Sequence, residues 1–332
     1  MMRFGLKYLR YPCLLFFVLV QCSSPSAQIS AQTSAQIQIT DSHGKYTFDQ
    51  PPERVVILNW ALAEQVIELG VTPVGMADVA GFRQHASKPA VPSTVVSVGD
   101  RLSPNLKSIK QLQPDIIMIG YSQRSLIRPL SNIATVIYFK NFGSRYNNYQ
   151  KSRERFTELA KLFDKTALAQ EQLRALDHTL TTLKESLSKA YDESSMALPM
   201  IQFTVHNGSD VWLFGENSMP HHAASQLGLD VLSAKENNKF GIAMLNRTDY
   251  LLLLDAKKAH ISHADDSILA SSREVVCEMR LSSYSISNVS TNESSPKSCG
   301  ADLAYQNAFG GVNSIKYLAH AIHDILLSAL AH

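Results

Sequence analysis

The chain has 332 residues, of which 45% are hydrophobic and 18% charged. These proportions exclude a disordered polymer and a protein of many membrane spans, and the length suits two domains better than one small core. The formal charge of +2 arises at the N-terminus, where residues 1–27 hold Arg3, Lys7 and Arg10 and no acid; the remaining 28 basic side chains face 29 acidic ones. A mature chain so close to neutrality offers no general electrostatic case for nucleic acid.

Arg3, Lys7 and Arg10 form a positive segment ahead of the apolar run Leu14 to Val20. That run is too short for a permanent bilayer span and reads as an export signal. Its end supports two readings. Leu19-Val20-Gln21-Cys22 resembles a bacterial lipobox that would lipidate Cys22, although Gln21 is larger than that motif wants; ordinary cleavage after Ser26 is the alternative. A low-complexity tether follows, with Ser-Ala-Gln at Ser26, Ser30 and Ser34.

Ile37–Thr40, Tyr46–Phe48 and Val55–Leu58 read as strands, with Pro51-Pro52 forcing an extended entry to the third. From Ala61 the apolar period becomes helical through Leu62, Val66, Ile67 and Leu69, and Gly70 supplies the stop. A short strand is expected over Val71–Met76. A helix capped by Ser103-Pro104 then carries Leu106, Ile109 and Leu112, and a buried strand spans Ile116–Ile119.

From about Lys165 to Tyr191 there is no Gly or Pro. Asp164 is the expected cap, and Leu168, Leu173, Leu176, Leu180, Leu183 and Leu187 form the apolar stripe of a helix about 40 Å long. Beyond it, Met200–Thr204 and Val211–Phe214 read as strands. Gly215–Ser218 turns into a helix ending near Gly228, Leu245–Leu254 is helical in period, and Ala259–Ser262 reads as a strand. The expected organisation is a signal segment (1–22), a tether (23–36), an N-terminal α/β lobe (37–163), a bridging helix (164–192) and a C-terminal α/β lobe (193–332).

Only Cys277 and Cys299 remain outside the leader, flanking a Ser/Asn-rich stretch. In an oxidising compartment a disulfide between them is the simplest account, and no second cysteine pair or suitably spaced His argues for a metal. His221-His222 and the group His260, His263, Asp265 and Asp266 are the His-rich spots; the second reads as a polar turn.

An exported chain of two α/β lobes on one long helix resembles the bacterial substrate-binding proteins of siderophore, haem and cobalamin ABC importers. The resemblance runs from Ile37 to the C-terminus. It rests on Pro52–Val56, Ala63-Glu64-Gln65 with Leu69–Gly75, Pro104-Asn105-Leu106 through Gln113-Pro114-Asp115, and Phe214-Gly215 with Asn217-Ser218. Asn59-Trp60, Ala77-Asp78 with Arg83, and Gly99-Asp100-Arg101 look most like the ferric hydroxamate binders. The resemblance implies a shallow inter-lobe cleft that holds a ferric siderophore, iron entering as part of the ligand and not as an intrinsic cofactor. Guanidinium groups would meet the oxygen-rich iron centre and aromatic rings would pack the organic periphery.

By position the implied ligand residues are Trp60, Arg83, Arg101, Phe240 and Tyr305, with Tyr121 near a family tyrosine but out of register. Trp60 and Arg101 also admit structural readings, as a core aromatic and as a surface bridge to Asp100 or Asp78. Glu64 matches the first-lobe acid that docks the permease, whereas the second-lobe position holds His222, with Glu216 six residues earlier. The implied protein is a periplasmic monomer, free or lipid-anchored, that serves an inner-membrane permease and its ATPase and carries out no catalysis. Haem, for which Tyr121 or Tyr305 would be the axial ligand, cobalamin, and an exported metalloenzyme are the alternatives.

Overall fold

The computed structural model describes residues 36–86, 88–144, 147–262, 276–282, 298–304 and 308–331, with the backbone alone for 257–262, 276, 282, 298–302 and 304. The expected signal segment, Cys22, Tyr305 and the side chain of Cys299 lie outside the described residues. An antiparallel hairpin, β1 (Ile37–Thr40) and β2 (Lys45–Phe48), opens the fold. Asp41 closes its turn by accepting from the amides of His43 and Gly44.

The first lobe is built on five parallel strands, β3 (Val55–Ile57), β4 (Gly75–Met76), β5 (Val96–Ser97), β6 (Ile116–Gly120) and β7 (Thr135–Phe139), in the order β5-β4-β3-β6-β7. Helices α1 (Trp60–Glu68), α2 (Val79–His85), α3 (Leu106–Gln111), α4 (Ile127–Ser131) and α5 (Asn148–Leu162) connect and cover them. The central strands are apolar runs because both of their faces are covered. Val55, Ile57, Ile116, Met118 and Ile137 belong to one core cluster, while Val56, Leu58, Ile117, Ile119 and Val136 belong to another.

Helix α6 (Thr166–Ser194) runs 29 residues and buries Leu176, Leu180, Leu183 and Leu187. The second lobe carries β8 (Met200–Asn207), β9 (Asp210–Phe214), β10 (Ile242–Asn246), β11 (Val276–Ser282) and β12 (Ser298–Ala304), ordered β10-β9-β8-β11-β12. Here β9 is antiparallel to β8 and β10, while β11 is parallel to β8 and β12. Its helices are α7 (Met219–Gln226), α8 (Arg247–Ser262) and α9 (Val312–Leu330). Helix α9 packs on α6 and α7. One continuous cluster runs from Ile57 and Met118 of the first sheet through Leu159 and Leu180 to Phe203 and Met279 of the second. The two lobes therefore share an interior.

Several local expectations are corrected. Residues Ala259–Ser262 close helix α8 instead of forming a strand, and Leu245 lies in β10, which ends at Asn246 before the helix begins at Arg247. Asp164 does not cap α6: it adopts φ +53°, and Lys165 is the cap residue, with no side-chain bond. Helix α3 is capped by Asn105, whose side chain accepts from the amide of Ser108, so Ser103-Pro104 lies ahead of the cap. The strand expected over Val71–Met76 is confined to Gly75–Met76.

The largest correction concerns Glu64. It was expected on a water-accessible face for permease docking, yet it is 5% exposed. Its carboxylate accepts from the amides of Gly311 and Ser314, both at 2.9 Å, and from Ser314 Oγ at 2.8 Å. These donors are the N-terminal cap and first turn of the 19-residue helix α9, where free amides and the helix dipole attract an anion. Glu64 thus fastens α1 of the first lobe to α9 of the second, with its carboxyl group turned to the interior and away from solvent. Burial outweighs these donors and raises its pKa to about 7.

Candidate functional site

Strands β3 and β6 are neighbours, with Ile57 opposite Met118. Trp60 and Tyr121, each following that register pair by three residues, therefore emerge at the same carboxyl edge of the parallel sheet. This is the edge where open α/β sheets place their ligands. The local backbone is fixed by Asn59. Its Oδ1 caps α1 by accepting from the amide of Leu62 and also accepts from Asn141 Nδ2 at 2.8 Å, beyond the end of β7. The two asparagine side chains close over Gly120, where any Cβ would collide with both. Gln123, 2% exposed, accepts from the Gly120 amide and holds the turn that carries Tyr121.

Trp60 is 6% exposed and donates from Nε1 to the carbonyl of Ala77 at 3.1 Å. Phe82 meets it edge-on with centroids 5.7 Å apart. Arg101 lies over the Trp60 ring, Cζ at 3.9 Å from the centroid, with its Nε 4.0 Å from Asp78 Oδ2. The indole is thus a floor and the half-exposed guanidinium is the group presented above it. The Asp78 contact is at the limit of an ion pair and leaves most of the guanidinium donors available. Asp78 itself caps α2 by accepting from the amide of Gly81.

Arg83 sits on α2 and is exposed. Its Nη2 reaches the carbonyls of Val91 and Pro92 at 3.4 and 3.3 Å, so its described contacts secure the following loop. Tyr121 is 41% exposed and lies under Lys239 of the second lobe, whose Nζ is 3.4 Å from the ring centroid. Phe240, half-buried, packs against Phe142 of the first lobe (5.2 Å between centroids) and Phe309 of the second (5.7 Å). Phe309 also meets Phe214 edge-on. The half-buried ring expected to line the pocket also packs into an aromatic seam between the lobes. Trp212 packs half-buried against the shared core from β9.

The seam is clasped by two asparagines. The Asn148 amide donates to Asn217 Oδ1 at 2.7 Å, while Asn148 Nδ2 donates to the carbonyls of Asn217 (2.9 Å) and Lys239 (3.0 Å). Asn217 Nδ2 returns a bond to the carbonyl of Gly143 at 2.8 Å. Nearby, His222 stacks obliquely on Tyr149, and burial lowers its pKa to about 4, with His221 adding to the fall. At neutral pH it offers no charge to a partner.

The sequence reading did not single out Asn141, Asn148, Asn217 as a clasp, Gln123 or Lys239 as site residues. Among the described residues no group of three or more His, Cys, Asp or Glu side chains could hold a metal ion. The side chain of His260, with His263, Asp265 and Asp266, lies outside the described residues. No helix of the described residues is long and apolar enough to cross a membrane. What the edge offers is a guanidinium and an ammonium, each seated on an aromatic ring, beside a half-buried aromatic seam. Such a surface can bind an anionic or oxygen-rich ligand with an organic periphery.

Comparison with known proteins agrees in family and in fold. The profile of a family described as periplasmic binding protein matches residues 55–248. The chain is 26% identical over 190 residues to the iron(3+)-hydroxamate-binding protein FhuD of Escherichia coli, which covers 57% of this chain and 62% of that one. It is 34% identical over 154 residues to the Fe(3+)-citrate-binding protein YfmC of Bacillus subtilis, covering 46% and 47% respectively. Both alignments thus span less than two thirds of those relatives' lengths. The crystal structure of Vibrio cholerae FhuD bound to Fe3+–Desferal superposes with a TM-score of 0.65 at 30% identity, over 83% of this chain and 98% of that one.

Proposed function

The chain belongs to the periplasmic binding protein family, and from that premise we propose that it is the extracytoplasmic substrate-binding component of an ABC importer, taking up a ferric siderophore, with the hydroxamate type favoured. It hands this cargo to an inner-membrane permease driven by its ATPase. The observation that carries the reading is Arg101 held over the buried Trp60 at the carboxyl edge of the first sheet. A buried indole fixes the guanidinium in place, and its donors suit the oxygen shell of a hydroxamate-bound ferric ion. The relatives named for ferric hydroxamate and ferric citrate support the same class of cargo.

In this reading Arg101, Tyr121 and Phe240 contact the ligand, Trp60 supports Arg101 and Arg83 belongs to the rim, while Tyr305 is a ligand residue by resemblance alone. Iron enters with the ligand; the protein has no cofactor of its own and no catalytic step. The mature protein is an exported monomer in the periplasm, free or anchored through Cys22, divided into lobes 37–163 and 193–332 by the helical segment 164–192. Its Cys277–Cys299 disulfide is supported by the adjacency of β11 and β12, which carry the two cysteines.

Titration of the purified protein with ferric hydroxamate, ferric citrate, the iron-free hydroxamate, haemin and cobalamin, followed by tryptophan quenching, tests the proposal. Tight binding of a ferric siderophore and weak binding of its iron-free form are expected. Equal or tighter binding of haemin or cobalamin would overturn it.

A further inference from the structure

Lys239 is held at its backbone and loose at its charge. Its carbonyl accepts from Asn148 Nδ2 across the lobes. Asn238 Oδ1 accepts from the amides of Phe240 and Ile242 at 2.9 and 3.3 Å, closing a tight turn around it. Gly241 completes that turn at φ +74°, where a Cβ would collide with the backbone of Glu216, Asn217 and Ser218. The side chain then reaches across the lobes to lie on Tyr121, with the Phe240 centroid 5.0 Å from the same Nζ. Among the described residues no carboxylate lies within ion-pair distance of Lys239. A ring face is a weak substitute for an anion, because a full charge at similar distance attracts an ammonium far more strongly than an aromatic quadrupole does.

We propose that Lys239 is a specificity-determining ligand residue that selects ferric complexes carrying negative charge on their periphery, carboxylate-bearing ones in particular. On binding, the ammonium leaves the Tyr121 ring for the ligand's anionic group. The same movement uncovers the ring, 41% exposed even beneath the lysine, for packing against the ligand's organic part. Arg101 from the first lobe and Lys239 from the second then hold one anionic cargo between them. The inference rests on the siderophore-binding reading and adds a charge preference that the iron-coordinating chemistry alone does not set.

Three ferric complexes sharing one trihydroxamate core provide the test: desferrioxamine B with its free ammonium (net positive), its N-acetyl form (neutral) and its N-succinyl form (net negative). Dissociation constants are measured for the unaltered protein, Lys239→Gln and Lys239→Arg. The unaltered protein should prefer the succinyl over the ammonium complex by about tenfold. Lys239→Gln should reduce that preference to about threefold or less, and Lys239→Arg should keep it. The preference is a ratio within each preparation, so partial unfolding of a variant shifts all three constants alike. A Lys239→Gln preference equal to that of the unaltered protein, or no preference in the latter, would overturn this inference alone. Failure of the unaltered protein to bind any of the three would overturn the hydroxamate assignment on which this inference rests, and the inference with it.

Discussion

Asn148 and Asn217 hold each other across the two lobes: the Asn148 amide donates to the Asn217 side chain at 2.7 Å, and the Asn148 side chain donates to the Asn217 carbonyl at 2.9 Å. Asn148 is 1% exposed and also accepts from the Gly143 amide. Asn148→Ala strands a buried amide and two carbonyls at once, a loss of about 2–4 kcal/mol. Urea unfolding should show a lower midpoint with an unchanged m-value. A midpoint within error of the unaltered protein would mean that water fully replaces the clasp.

The two arginines singled out by the sequence should separate. Arg101→Ala removes a guanidinium fixed above Trp60 and should weaken ferric siderophore binding by about tenfold or more, the scale of one charge-assisted hydrogen bond. Arg83→Ala removes a side chain whose described contacts are two backbone carbonyls and should cost about threefold or less. Equal losses in both variants would place Arg83 on the ligand beside Arg101.

Glu64 makes a pH prediction. Its pKa rises from 4.5 to about 7 on folding, so the folded chain holds this proton more tightly than the unfolded one does. The stabilising contribution of the neutral carboxyl is complete below about pH 4.5 and is lost as pH climbs to about 7, an effect on the order of 3 kcal/mol. Glu64→Gln does not titrate. Its melting temperature, taken relative to the unaltered protein, should rise between pH 4.5 and pH 8. A relative fall over that range would show that the α9 amides favour the anion enough to outweigh burial.

Cys277 is fully buried on β11, away from the Trp60 and Tyr121 edge in sequence and in sheet. Replacing Cys277 and Cys299 together by Ser should lower stability by about 3 kcal/mol, as expected for opening a closed loop, and leave ligand affinity within about twofold. A large loss of affinity in a folded variant would put the segment between these cysteines at the ligand.

Much of the architecture was legible because it is local. The leucine stripe of α6 and the apolar runs of β3 and β6 declare themselves within a dozen residues. Ala259–Ser262 misled because four apolar-rich residues cannot distinguish a buried strand from the last turn of a helix. Glu64 misled for a different reason. On its own helix it looks like an ordinary exposed acid, and the Ser314 that buries it stands 250 positions later. The Asn148 and Asn217 partnership spans 69 positions and leaves no periodic trace. Lys239 escaped because a lone lysine in a turn carries no motif; its meaning comes from Tyr121, supplied by the other lobe.

The interior common to both sheets has a thermodynamic corollary. Calorimetry should record a single endotherm with matching calorimetric and van't Hoff enthalpies, since neither half can melt while the other keeps its packing against Leu159 and Leu180. The same continuity limits motion. Swinging the lobes apart would expose apolar surface to water along the whole seam, so, on the proposed function, the empty and loaded molecules should have nearly the same outline. A partner that distinguishes them would then have to sense what covers the Trp60 and Tyr121 edge, because the silhouette carries little of that information.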